Sequence, residues 1–148
     1  MRRSLALIVA AALVAGIAGY LFYFAWPAPL LDPSRIDAFA YGPEGVNPLE
    51  YVRHESASGS AEAALLGRIL ALVNEAPLSR EPVRPREGQL LLILYRDDGL
   101  QYHLIQNGPR VVGLAEGDRG YLAALDSPGL AALLDDLKAR GDGLTSGS

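Results

Sequence analysis

Two histidines, His54 and His103, are the only side chains of this sequence that ordinarily titrate near neutral pH. Glu50 and Glu55 lie close to His54 in the chain, so a metal site or an acid–base pair is one interpretation of that segment. No histidine pair stands at the spacing that places two metal ligands on one helix face. The sequence therefore favours a solvated position for His54 at the end of a strand. It predicts that His103 is half-exposed within another strand.

The most basic stretch is a proline-containing loop over residues 77–88, which carries Arg80, Arg84 and Arg86. Clustered guanidinium groups bind anions, such as lipid head groups, anionic wall polymers or the acidic patch of a partner protein. Acidic residues within the same stretch reduce its net charge, so a solvated loop is the simpler alternative. These three arginines are a candidate interaction loop.

Other signs of catalysis or cofactor binding are missing from the sequence. It contains no nucleotide-binding, calcium-binding or zinc-protease motif. Asp97-Asp98-Gly99 is explained by a hairpin turn. The chain has no cysteine, which removes thiol nucleophiles, disulfides and cysteine-based metal sites. We therefore expect no catalytic residue, no cofactor and no metal ion, and a function in binding rather than catalysis.

The net charge of −4 is unevenly distributed along the chain. Arg2 and Arg3 are the only charged residues among the first thirty, so 11 basic and 17 acidic side chains give the remainder a charge of −6. Phosphate binding requires clustered positive charge, which argues against nucleic acid as a partner.

The stretch Leu5–Trp26 contains no charged side chain. Its 22 residues would form a helix of roughly 33 Å, enough to cross a hydrocarbon core of about 30 Å. Aromatic residues cluster at its end, as at a membrane–water interface. The predicted interfacial belt consists of Tyr20, Phe22, Tyr23, Phe24 and Trp26.

The apolar stretch is either a permanent membrane anchor or a cleaved signal peptide. A small-residue cleavage site exists at Gly16-Ile17-Ala18, but cleavage there would leave a strongly apolar new N-terminus. We therefore expect a retained single-pass anchor in a bacterial cytoplasmic membrane, with secretion after cleavage as the alternative. Arg2 and Arg3 place the N-terminus in the cytoplasm and the rest of the chain outside it.

Beyond the anchor, periodicity and turn signals predict six strands and two helices. One helix follows the capping residue Ser60 and ends at Pro77, and the other follows Ser127 and ends at Gly141. The predicted strands are Arg35–Tyr41, Leu49–His54, Gln89–Arg96, Leu100–Gln106, Arg110–Ala115 and Tyr121–Leu125.

Tight turns between consecutive strands require antiparallel pairing. The predicted fold class is therefore α+β, with one N-terminal transmembrane helix followed by a small antiparallel sheet of four to six strands packed against two helices. The predicted organisation is an anchor over residues 1–29, one extracytoplasmic domain over 30–141 and a disordered tail over 142–148.

From Gln89 onward, the order of strands and turns is followed by Gly120-Tyr121-Leu122 and a serine-capped, leucine-rich helix. This pattern resembles small α+β domains that lie outside bacterial membranes on lipoproteins and single-span proteins. The lipidated cysteine of those lipoproteins has no counterpart here. Such domains are largely without assigned activity, so the resemblance implies a tethered accessory module and transfers no catalytic residues.

The resulting hypothesis is a membrane-tethered binding or accessory module of the bacterial envelope that recognises a protein partner. Two alternatives remain. One is a ligand-sensing or inhibitor domain, which an apolar, tyrosine-lined pocket between sheet and helices would favour. The other is a hydrolase that uses His54 or His103 with a nearby carboxylate.

Overall fold

The computed structural model describes residues 2–25, 30–84, 86, 88–117 and 121–141, without the side chains of residues 2–5, 21–25, 121 and 122. The contacts divide the chain into two units, residues 1–30 and 31–148. The elements in chain order are α1 (Arg2–Ala25), β1 (Ile36–Pro43), β2 (His54–Glu55), α2 (Ala61–Glu75), β3 (Leu90–Arg96), β4 (Gln101–Gln106), β5 (Val111–Glu116), β6 (Tyr121–Asp126) and α3 (Pro128–Arg140).

The first unit contains helix α1, whose side chains are exposed throughout residues 6–20. They include large apolar groups such as Leu13 (60% exposed) and Ile17 (56%). Among the residues that the structure describes, no helix has the length and apolar character required to cross a membrane. The predicted membrane span therefore stays a prediction.

The second unit is an α+β domain built on a six-stranded antiparallel sheet, in the order β2-β1-β3-β4-β5-β6. This confirms the predicted fold class of the domain. Helices α2 and α3 pack on one face of the sheet and form a single core with it. Their buried residues are Leu66, Ile69, Leu70 and Val73 of α2, and Leu130, Ala131, Leu133, Leu134 and Leu137 of α3.

Both helices of the domain begin and end as their capping residues predict. The Ser60 hydroxyl accepts a hydrogen bond from the backbone N–H of Ala63 at 3.0 Å. The Ser127 hydroxyl accepts one from Leu130 at 3.2 Å. Gly141 ends α3 in the left-handed conformation at φ 67°, which glycine adopts without steric cost.

The predicted strand Leu49–His54 is wrong over most of its length. Pro48–Glu50 forms a 3-10 turn instead, and the Asn47 side chain caps it by accepting a hydrogen bond from Leu49 N–H at 3.1 Å. Strand propensity yields here to an asparagine cap followed by proline, which favours a helical turn. His54–Glu55 pairs with β1 as the short edge strand β2.

Tyr51, which follows that turn, lies against the glycine of β1. A β-carbon built on Gly42 would come within 2.3 Å of the Tyr51 ring. The Tyr51 hydroxyl donates to the Pro43 carbonyl at 2.7 Å. Burial, followed by the charge of Glu44, raises the pKa of Tyr51 to about 12. The ring thus covers the sheet face opposite the helices, together with Ile93 and its neighbours.

We expect Gly42→Ala to lower the free energy of unfolding by about 1–3 kcal/mol, because the added methyl group has no room beside a rigid ring. Gly67→Ala is the matched control. Gly67 is exposed within α2, no atom lies within 4 Å of its added methyl group, and alanine there should stabilise by about 0.5–1 kcal/mol. Urea denaturation measures the free energy of unfolding of both variants. Equal stability of Gly42→Ala and the unaltered chain would contradict the described packing.

An ion-pair network holds the turn between β3 and β4. The Arg96 guanidinium donates to both oxygens of Asp98, and Arg35 contacts Asp97 at 3.0 Å and Asp98 at 3.1 Å. The Asp98 carboxylate also accepts a hydrogen bond from Leu100 N–H at 3.2 Å. Chiefly through the hydrogen bonds from Arg96, the network holds the pKa of Asp98 well below its usual range.

A carboxyl group with a depressed folded-state pKa stabilises the fold above its unfolded pKa and loses this effect as the pH falls through the folded value. Asp98→Asn should therefore melt below the unaltered chain at pH 6, and the difference should narrow steadily below about pH 4. Asp136→Asn, on exposed α3 surface, should show no such trend. Melting temperatures across this pH range test the prediction, and a constant gap for Asp98→Asn would refute it.

Candidate functional site

A cleft lies between β1 and the facing ends of the two domain helices, the first turn of α2 and the last turn of α3. It consists of two cavities of about 230 Å³ each, which share Tyr41, and we name it the β1 cleft. The aromatic cavity is lined by Phe39, Tyr41, His54, Ala61, Glu62, Leu65 and Arg140. The apolar cavity is lined by Tyr41, Gly42, Pro43, Leu90, Leu137, Lys138 and Gly141.

The sheet places the aromatic rings of this cleft side by side. Phe39 and Tyr41 stand two residues apart in β1 and therefore point to the same face. His54 is paired with Phe39 across the β1–β2 ladder. The His54 ring stacks on both, with centroid distances of 5.0 Å to Phe39 and 5.5 Å to Tyr41.

His54 is held in this stack by ring contacts. Its Nε2 atom is buried and has no hydrogen-bond partner among the described residues. A buried polar atom without a partner costs about 1–3 kcal/mol. A general base must reach its substrate, and this nitrogen is shielded from solvent, so the geometry disfavours His54 Nε2 as a proton acceptor.

Two charged groups line the aromatic cavity without neutralising each other. Glu62 lies in the first turn of α2 and Arg140 in the last turn of α3, positions where each charge complements the helix dipole. Within the described residues, neither side chain forms a salt bridge. Lys138, on the apolar cavity, is exposed.

The candidate interaction loop lies outside the β1 cleft. Arg84 and Arg86 line a separate depression of about 390 Å³, and Arg80 is exposed without lining it. Side chains hold the loop backbone there: Asn107 accepts from Arg84 N–H at 3.3 Å and Gln89 accepts from Arg86 N–H at 2.8 Å. The structure thus brings two of the three predicted arginines to one surface.

The two histidines lie on opposite faces of the sheet. His103 pairs with Ile93 and shares the face that Tyr51 covers, whereas His54 lies with Phe39 on the helix face. His103 is half-buried, with Nε2 at 3.4 Å from the Gln101 side-chain oxygen. Among the described side chains, no group of three or more histidine, aspartate or glutamate residues has the geometry to hold a metal ion.

Of the predicted interfacial belt, Tyr20 is 63% exposed on α1. Phe22, Tyr23 and Phe24 lie within the same helix, but their side chains are outside the description. Trp26 lies outside the described residues.

No protein-family model matches this chain, and no curated protein or solved structure matches it either. The candidate site is therefore defined by its own geometry.

We expect His54→Phe to keep the three-ring stack and to raise the free energy of unfolding by about 1 kcal/mol, because it removes the unpartnered buried nitrogen. His54→Ala, which removes the ring, should be less stable than the unaltered chain. Thermal or urea unfolding measures the stability of both variants. Destabilisation of His54→Phe to the level of His54→Ala would mean that the imidazole nitrogen supports the fold.

Proposed function

We propose that this protein is a tethered binding module of the bacterial envelope. In this proposal, α1 holds the α+β domain at a membrane, and the domain recognises a protein partner through the β1 cleft. The observation that carries the proposal is the cleft itself, in which the charged side chains of Arg140 and Glu62 line a cavity beside a wall of stacked aromatic rings. Binding sites commonly combine an apolar lining with a few polar groups that fix orientation.

Each cavity of the β1 cleft has room for one side chain of a partner protein, whereas the two together have the volume of a small-molecule pocket. Pockets for small molecules usually measure about 300–1,000 Å³. Each cavity of the β1 cleft measures about 230 Å³, which suits one side chain. A ligand-sensing role is the second candidate, since Tyr41 lines both cavities between sheet and helices, as that hypothesis requires.

The tether rests on the sequence of α1 and on its exposure. The stretch Leu5–Trp26 carries no charge, and the described side chains of α1 are exposed from residue 6 to residue 20. Soluble monomers rarely leave a contiguous apolar surface of this kind uncovered. Arg2 and Arg3 orient the tether, with the N-terminus in the cytoplasm and the α+β domain outside.

The tether predicts that the full chain floats with phosphatidylcholine vesicles in a density gradient. Replacing both Leu13 and Ile17 with arginine should return most of the protein to the bottom fraction, because each central arginine costs about 2.5–3.5 kcal/mol in a bilayer. Leu49→Arg is the matched control: Leu49 is 89% exposed in the α+β domain, so flotation should persist. If the unaltered chain stays in the bottom fraction of the gradient, the tether proposal is wrong.

The recognition role predicts a site-specific cross-link. A photoactivatable phenylalanine analogue at Ala61, which lines the aromatic cavity, should give one discrete cross-linked protein in membranes of the native host. The same group at Ala71, on the exposed side of α2, should not give that product. Identical cross-links from both positions, or none from Ala61, would contradict recognition through the cleft.

A further inference from the structure

We infer that the β1 cleft binds an extended polypeptide segment that places an apolar side chain in the apolar cavity and a carboxylate, two residues away, against Arg140 in the aromatic cavity. This inference rests on the proposed recognition of a protein partner and specifies the chemistry of the segment recognised. It follows from the spacing of the two cavities, from their different linings and from the balance of charge around them.

The spacing of the cavities matches an extended peptide. The aromatic cavity is built on Phe39 and Tyr41, and the apolar cavity on Tyr41 and Pro43. The β1 residues that line the two cavities are therefore displaced by two positions along the strand, roughly 7 Å at the rise of a strand. Side chains that point to the same side of an extended peptide repeat at this same interval. One segment can thus fill both cavities with residues i and i+2.

The linings assign a different side chain to each cavity. Leu90 and Leu137 contribute nearly fully buried apolar groups to the apolar cavity, beside Pro43 and Gly42, and the exposed Lys138 is its one charged lining residue among those described. An aliphatic side chain is the partner that such a lining accepts without an unpaired polar group. The aromatic cavity is lined by two charged side chains, Glu62 and the exposed Arg140, and the Arg140 guanidinium is the group that would bind a carboxylate.

The balance of charge around the cleft favours an anion. Arg140 and Lys138 line it from α3, against the single carboxylate of Glu62 from α2. Guanidinium groups bind carboxylates through two parallel hydrogen bonds, which add geometric selectivity to the charge attraction. The carboxylate can belong to a glutamate side chain or to the C-terminus of the partner, and the experiment separates these sources.

The test is a titration of the isotope-labelled full chain in detergent micelles, followed by amide chemical shifts. Acetyl-Leu-Ala-Glu-amide should bind about tenfold or more tightly than acetyl-Leu-Ala-Gln-amide, because a hydrogen-bonded charge is lost in the second peptide. Acetyl-Ser-Ala-Glu-amide, which lacks the apolar side chain, should also bind more weakly. Acetyl-Leu-Ala-Gly with a free C-terminus reports whether a terminal carboxylate serves as well as a glutamate.

Two variants test whether Arg140 causes the preference for the glutamate peptide over the glutamine peptide. Arg140→Gln should reduce binding of the glutamate peptide to that of the glutamine peptide. Arg68→Gln, at an exposed position of α2, is the matched control and should leave the tenfold difference intact.

Equal affinity for the glutamate and glutamine peptides, tighter binding of acetyl-Leu-Ala-Lys-amide, or no binding of any peptide would overturn the inference. So would an unchanged preference in Arg140→Gln. These failures differ from failure of the proposed function. A partner cross-linked at Ala61 together with no carboxylate preference would retain recognition through the cleft and remove only its assigned chemistry.

Discussion

The pairing of β1 with β3 is the constraint on which the rest of the domain depends. The ladder runs from Ile36 opposite Arg96 to Pro43 opposite Leu90, although the two strands are far apart in the chain. It places β3 inside the sheet, where its first five residues are buried by helices on one face and by the Tyr51 segment on the other. Both cores of the domain are therefore organised around this pair of strands.

The β1 cleft is a consequence of the same arrangement. Strand β1 lies next to the sheet edge, and its outer partner β2 is only two residues long. The helices bury the centre of the sheet, and Phe39 and Tyr41, although only 1% and 3% exposed, line cavities beside the first turn of α2 and the last turn of α3. A cleft of this origin combines rigid strand residues with charged helix ends, which is a favourable basis for a binding site.

Much of the fold was predictable from local patterns, and the site was not. Alternating residues, Asp-Gly and Asn-Gly turns, and serine caps fixed the strands and helices to within one or two residues, because each signal acts over a few neighbours. The strand predicted at Leu49–His54 failed because Asn47 and Pro48 form a helical turn.

The sequence directed attention to Arg80, Arg84 and Arg86, which are close together in the chain. The residues of the β1 cleft come instead from β1, β2, β3, α2 and α3, and only packing brings Glu62 and Arg140 to one cavity. The sequence favoured a solvated His54 at a strand end, whereas the structure half-buries its ring against Phe39 and Tyr41. This stacking depends on a ladder register that no local pattern specifies.

The central claim is that ligands enter the β1 cleft, and selective blocking of the cleft tests it most directly. Because the chain has no cysteine, Lys138→Cys on the apolar cavity and Asp136→Cys on exposed α3 surface can each be modified with a benzyl maleimide at a single site. Modification at position 138 should abolish binding of acetyl-Leu-Ala-Glu-amide, while modification at position 136 should preserve it. Equal binding by the two modified proteins would contradict the account.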